Sequence, residues 1–487
     1  MIILKEIIYK VAIEAVKGST DIAIDKIEFD SRKIGANDAF VAIRGTISNG
    51  HDYIETAIWN GAIAIVCDTL PEILTPGITF IQVKDTNEAL AFMAANYFGN
   101  PSQDLKLVGI TGTNGKTTIA SLLFQLFKKA GFKVGLLSTV KILVDEVEYK
   151  ATHTTPDSLT INHYLREMVE AGVEYCFMEV SSHGIHQKRT EALHFVGGIF
   201  TNLSHDHLDY HPTFAEYRDV KKSFFDNLPK TAFALSNIDD KNGQVMLQNT
   251  AAKKLTYALK SYADYKAQIL ENQLSGLLLK INGNEVWVKL IGTFNAYNLL
   301  AIYGTAIELG MESLEVLRLL SDLESVSGRF QFIVSNSNIT AIVDYAHTPD
   351  ALENVLKTIN DIRTKNEQLI TVVGCGGNRD KAKRPIMANI ATELSDKTIL
   401  TSDNPRNEDP EVIINEMEQG VEPQNFKKSL SITDRKQAIK TACQLAQPND
   451  IILIAGKGHE TYQEVQGIRH DFDDMKTVTE LLNQLNK

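Results

Sequence analysis

Apolar runs of strand length alternate with helical patterns along nearly the whole chain, and nothing else in the sequence constrains the fold as tightly. The alternation calls for repeated α/β units and mainly parallel sheets. For 487 residues, about three domains of ordinary size are expected. In the first, residues 40–43 and Ala62–Cys67 read as strands and residues 51–60 as a helix stopped by Gly61. A second helix opens near Asp85-Thr86 and ends at Gly99-Asn100-Pro101, where glycine and proline break it. Strands are expected at 105–111, Val134–Leu137, 175–180 and 198–203, with a helix at 294–309. After a pause at Ser327-Gly-Arg329, strands at 339–344, 369–373, 398–401 and Ile451–Ala455 alternate with helices. Thr348-Pro349 and Asp409-Pro410 each place a capping residue before a proline suited to the first helical position. The expected domains are therefore 1–101, 102–329 and 330–487.

Composition excludes several classes. A hydrophobic fraction of 44% with 23% charged residues supports packed cores and rules out wholesale disorder. Lys and Arg total 49 against 61 Asp and Glu, a balance of −12, so nucleic acid is not an expected partner. No apolar run reaches the roughly eighteen residues of a membrane span, and Lys5 and Glu6 interrupt the N-terminus too early for a signal peptide. Cys67, Cys176, Cys375 and Cys443 are scattered without metal or disulfide spacing, which fits a reduced, cytoplasmic protein.

The strongest local signal is Gly109-Ile-Thr-Gly112-Thr113-Asn114-Gly115-Lys116-Thr117-Thr118, between an expected strand and an expected helix. Glycines there let backbone N–H groups converge on phosphate oxygens at a helix N-terminus. Lys116 would reach the β/γ-phosphates of ATP or GTP, and Thr117 would ligate Mg²⁺. The loop is a variant, since the common pattern has glycine where Ile110 stands.

Thr213-Phe-Ala-Glu216 forms a capping box, so a helix starts there. Lys221 falls in the middle of its apolar stripe of Phe214, Tyr217, Phe224 and Leu228. A lysine on a buried face either snorkels or is neutralised, and reaction with CO₂ to a carbamate able to hold Mg²⁺ is one route. Glu179, at a strand end, and His207, in Ser204-His-Asp-His207-Leu-Asp209-Tyr-His211, are further Mg²⁺ candidates. Carboxyl ends of parallel strands are where such sheets bind ligands, and hard Mg²⁺ suits these groups better than zinc.

Together these motifs resemble the Mur ligases. Residues 112–118, Glu179-Val-Ser-Ser-His-Gly184, Thr201-Asn-Leu-Ser-His-Asp-His-Leu-Asp-Tyr-His211, Phe294-Asn-Ala-Tyr-Asn298, Gly328-Arg329-Phe330 and Asp344-Tyr-Ala-His347 occur in that family's order, over nearly the whole chain. The resemblance implies a small N-terminal α/β domain, a central P-loop ATPase-type parallel sheet and a C-terminal Rossmann-like α/β domain. It also implies ATP-driven amide formation through an acyl phosphate, in peptidoglycan synthesis. Residues 112–118 with Asn298, Arg329 and Asp344 would hold ATP. Thr117, Glu179, His207 and Lys221, aligned with the family's carbamylated lysine, would hold Mg²⁺; Lys116, Lys221, His207 and Glu179 would be the catalytic set. Ser31, Thr46, Ile47 and Ser48 match uridine-binding places, and Thr154, Thr155, Ser182, Gln187 and Arg189 match muramoyl-peptide places. His153 stands where relatives often have Asn.

Ser402-Asp403-Asn404-Pro405-Arg406 resembles the signature of the ligases that use meso-diaminopimelate, whose distal carboxylate an arginine fork can grip. Arg379, Gly456 and Glu460 match further contacts of that amino acid. The expected substrates are ATP, UDP-N-acetylmuramoyl-L-alanyl-D-glutamate and meso-diaminopimelate, and the chain is expected to act as a monomer. Competing readings are a lysine-adding ligase of the same family, a folylpolyglutamate synthetase and a P-loop nucleotide switch. The folylpolyglutamate relative should lack the residue 403–406 signature, and no N-K-x-D guanine motif supports a switch.

Overall fold

The computed structural model describes residues 1–45, 48–204 and 210–487. Near the N-terminus a five-stranded sheet runs in the order Ile13–Lys17, Thr79–Val83, Ala62–Cys67, Asp38–Val41, Ile27–Glu28. Only Ile13–Lys17 is antiparallel to its neighbour. Asp85 caps the helix Thr86–Tyr97 by accepting the N–H groups of Asn87 and Glu88, and the helix buries Leu90 and Met93 against this sheet.

The middle of the chain builds an eleven-stranded sheet. Its parallel centre is Val134–Leu137, Tyr175–Glu179, Lys106–Thr111, Phe195–Phe200, Phe233–Asn237 and Lys253–Ala258. Helices Lys116–Lys129 and Thr293–Glu308 share the core on one face. Ser158–Glu170 and Phe214–Asp226 pack on the other. The expectation of mainly parallel pairing holds at this centre, but both edges are antiparallel. Lys141–Val144 pairs with Val147–Lys150 at one edge, and Tyr265–Gln273, Gly276–Ile281 and Asn284–Val288 form a meander at the other.

The strand expected at 198–203 forms instead at Phe195–Phe200. In the sheet Gly197 and Gly198 make room for aromatic rings, with Phe233 2.2 Å from where a Cβ of Gly197 would sit. Residues 201–204 are thereby released from the sheet to reach the phosphate loop.

The last part of the chain carries a six-stranded sheet in the order Gln331–Val334, Thr340–Asp344, Ile451–Ala455, Leu369–Cys375, Lys397–Ser402, Ser429–Ser431. All but the first strand are parallel. Helices Pro349–Ile362, Lys383–Leu394 and Pro410–Glu418 cover one face; Arg435–Leu445 and Asp474–Gln484 cover the other. Arg435 forms a buried bidentate pair with Asp474, at 2.8 and 2.7 Å. Among the described residues no helix is long and apolar enough to cross a membrane.

Candidate active site

The strand Lys106–Thr111 delivers the chain into a tight loop before the helix Lys116–Lys129. Gly112 has φ +144°, and a Cβ there would lie 1.9 Å from Thr201 Oγ1, so the loop accepts only glycine at this point. The residues freed from the neighbouring strand brace it. Thr113 N–H donates to Asn202 O at 2.8 Å, Asn114 N–H to Asn202 Oδ1 at 3.0 Å, and Thr201 Oγ1 to Asn114 O at 2.6 Å. Lys116 Nζ donates to Gly112 O and Thr113 O at 2.9 and 2.8 Å, which folds the ammonium over the loop. The result is a rigid concave backbone at a helix N-terminus, an arrangement that favours anions.

Beside it lies a pair of side-chain oxygens, of Glu179 and Thr117. Glu179 is 1% exposed, and its carboxylate accepts Thr117 Oγ1 at 2.9 Å and Thr139 N–H at 2.7 Å. Two hard oxygens next to a phosphate loop fit Mg²⁺. Among the described residues there is no group of three or more His, Cys, Asp and Glu placed to hold a metal; His207 lies outside the described residues, as do Thr46 and Ile47. Lys221 is 1% exposed, so its head does not snorkel. Its Nζ points inward to Gly112 O at 3.0 Å and lies 4.8 Å from the Tyr217 ring centre.

The cleft over this loop has a volume of about 1700 Å³ and is lined from both the middle and the last sheets. Asn298, 6% exposed, approaches Gly115 and is held by Asn295 at 3.1 Å. Arg329 donates to Thr117 Oγ1 at 3.2 Å and stacks over Tyr345 at 4.7 Å. Asp344 accepts the Phe330 N–H at 2.7 Å, next to Arg329; burial pushes its carboxyl above the usual carboxylate range and Arg329 opposes that. Asp350, not singled out from the sequence, accepts Asn114 Nδ2 at 3.0 Å and Ser204 Oγ at 2.8 Å across the cleft. As an acid in a first helical turn it reads locally as a dipole partner, which hides its second use.

The same cleft is lined by Arg379, Asp403, Asn404, Arg406, Gly456 and Glu460. Pro405 is buried and does not line the cleft. Lys457, fully buried, was also missed; it donates to Asn404 Oδ1 and Glu460 Oε2, both at 3.0 Å. Asn404 Nδ2 donates to Glu460 at 2.7 Å, so the three form a closed network. The signal for Lys457 was its place between Gly456 and Glu460. Arg406 takes a left-handed φ of 52° and donates to Gly377 O at 2.7 Å.

A third group of lining residues comprises Thr154, Thr155, Ser182 and Arg189, with His153 alongside. Gln187 does not line the cleft; its Oε1 accepts two N–H groups of Arg189, at 3.1 and 2.6 Å, and so orients it. Burial draws the Arg189 guanidinium below its ordinary pKa. Ser31 and Ser48 are not brought to this cleft; Ser31 is buried in a short turn and Ser48 is exposed on the first sheet's side of the molecule.

The chain matches three family descriptions: Mur ligase family, catalytic domain, over 23–98; Mur ligase middle domain, over 110–306; and Mur ligase, glutamate ligase domain, over 328–458. It is 54% identical over 485 residues to the UDP-N-acetylmuramoyl-L-alanyl-D-glutamate–2,6-diaminopimelate ligase of Cytophaga hutchinsonii, covering 99% of this chain and 100% of that one. It is also 54% identical over 480 residues to the ligase of the same name from Parabacteroides distasonis, covering 99% of each. A solved structure of a ligase so named superposes with a TM-score of 0.70 at 32% identity, covering 100% of this chain and 99% of the other. With a phosphate loop, the Glu179 carboxylate and two arginines lining one cleft, and these matches along its length, the chain belongs to the Mur ligase family.

Proposed function

We propose that this ligase joins the D-glutamate carboxylate of UDP-N-acetylmuramoyl-L-alanyl-D-glutamate to an amine of meso-diaminopimelate at the expense of ATP, a step of peptidoglycan synthesis. The observation that carries the reading is Arg379 and Arg406, with Asp403, Asn404 and Glu460, lining the same cleft as the phosphate loop. A carboxylate does not react with amines because its oxygen is a poor leaving group. Its oxygen attacks the γ-phosphorus of ATP and ADP leaves; the amine nitrogen then attacks the carbonyl carbon, phosphate leaves, and the amine proton goes to solvent. The protein's part is to position two anions and neutralise charge.

In this reading residues 112–118, Asn298, Arg329 and Asp344 hold ATP, with Lys116 moving from the loop carbonyls to the phosphates. Thr117, Glu179, His207 and Lys221, the last as a carbamate, would hold Mg²⁺, which when bound would offset phosphate charge. Two amines, of Lys116 and Lys221, donate to the one carbonyl of Gly112, which puts Lys221 beside the phosphate loop. Thr154, Thr155, Ser182, Gln187 and Arg189 hold the muramoyl-peptide, and Ser31, Thr46, Ile47 and Ser48 hold its uridine end. The domains 1–101, 102–329 and 330–487 thus divide the work into sugar-nucleotide grip, ATP chemistry and amino-acid selection. One chain supplies every residue named, so a monomer suffices, and the soluble nucleotide substrates fit a cytoplasmic enzyme.

The test is phosphate release from ATP and Mg²⁺ with the UDP-linked dipeptide and a panel of amino acids. Release only with the dipeptide and meso-diaminopimelate together is expected. Equal use of L-lysine would replace this reading by the lysine-adding one, because Arg406 would then not be selecting a distal carboxylate.

A further inference from the structure

Arg379 and Arg406 sit on separate loops that follow the strands Leu369–Cys375 and Lys397–Ser402. Behind the cleft, one carboxylate ties the two loops together. Glu408 accepts the N–H of Asn378, the residue before Arg379, at 2.5 Å. Its own N–H donates to the carbonyl of Pro405, the residue before Arg406, at 3.0 Å. Arg384, fully buried at the start of the helix Lys383–Leu394, grips both Glu408 oxygens at 3.0 Å. This fork holds the Glu408 carboxyl down at about 2, so it is charged throughout the neutral range. Three further bonds run directly between the loops: Gly377 N–H to Asn404 O at 2.9 Å, Arg406 to Gly377 O at 2.7 Å and Asn407 N–H to Asn378 Oδ1 at 3.4 Å. Neither Glu408 nor Arg384 lines the cleft.

We propose that Glu408, clamped by Arg384, is a positioning residue that sets the spacing of Arg379 and Arg406 and thereby the amino acid the enzyme selects. This rests on the function proposed above. Substrate length is read between fixed cations, so a brace that fixes them affects discrimination without touching the substrate. Arg384 has a second partner in Glu416, at 2.5 Å, so loss of Glu408 does not leave a buried charge alone.

The experiment compares Glu408→Ala, Glu408→Asp and Glu416→Gln in steady-state kinetics, with thermal melting as a check on folding. Glu408→Ala is expected to raise KM for meso-diaminopimelate about tenfold or more and to lower its kcat/KM preference over L-lysine by a similar factor, with KM for ATP within about twofold. Glu408→Asp keeps the charge for Arg384 but falls short of Asn378, and should show the same split at smaller amplitude. Glu416→Gln, whose carboxylate reaches the Arg379 loop only through a 3.6 Å ion pair with Lys381 and makes no bond to Asn378 or Pro405, should shift neither constant by more than about twofold. Parallel rises for ATP and amino acid, or a folded Glu408→Asp with wild-type KM and preference, overturns the proposal. The wild-type panel tests the underlying function separately. If the wild type takes lysine, the brace is still judged by whether Glu408→Ala raises the KM for lysine above that for ATP.

Discussion

The phosphate loop and the amino-acid pocket share a cleft, but the chain builds them by opposite means. The loop is made of backbone: Gly112 in a conformation open only to glycine, N–H groups at a helix start, and Thr201 and Asn202 bracing it from the next strand. The pocket is made of side chains: Lys457, Asn404 and Glu460 in a closed network, with Arg384 and Glu408 behind them. Backbone donors suit a phosphate common to every ATP-using ligase. Side-chain charges can be exchanged one at a time, which suits a choice among amino acids.

That contrast can be attacked from both ends. The largest effect is expected for Lys221→Ala, a loss of kcat on the order of 10²–10³-fold. Short carboxylates such as acetate or formate should restore part of it; failure of rescue, together with no carbamate mass on the native protein, would remove the carbamate from the account. Gly112→Ala should cost about 10²-fold in ATP-dependent turnover, since its Cβ would displace Thr201 and the loop with it. Short carboxylates should not rescue it, and retention of wild-type turnover would show that the backbone geometry is not needed. Arg406→Ala should raise KM for meso-diaminopimelate by about tenfold or more while KM for ATP stays near wild type. An equal rise for both substrates would erase the distinction between the two ends. The smallest effect is expected for Asp350→Ala, which removes the hydrogen bonds joining the last region to Asn114 and Ser204. Both KM values should rise together, by about two- to tenfold, because the contact serves closure of the cleft and neither end alone.

Legibility followed the same division. The loop at 112–118 is readable because its glycines, its lysine and the flanking strand and helix are contiguous. The 403–406 signature is readable because four adjacent residues carry it. Glu408 was passed over although it stands only two residues beyond Arg406, because its partners are the backbone of Asn378 and the side chain of Arg384. The strand expected at 198–203 starts earlier, at Phe195, because the rings that fill the space over Gly197 and Gly198 come from Phe233, Phe224 and Phe225 elsewhere in the chain. The antiparallel edges of the central sheet were missed for a related reason: short alternating strands carry a weaker pattern than buried parallel ones.

By itself the sequence determined the α/β alternation, the phosphate loop, the place of Lys221 on an apolar helix face and the arginine signature, all of which rest on spacing along a few turns or strands. The tertiary structure decided what meets what. Asn114 and Asp350 are 236 residues apart, and Thr117 and Arg329 are 212 apart, yet each pair is hydrogen-bonded. Strand order and the closing of one sheet against another create those contacts. No local periodicity records them, because a hydrogen bond depends on distance in space and leaves no trace in chain spacing.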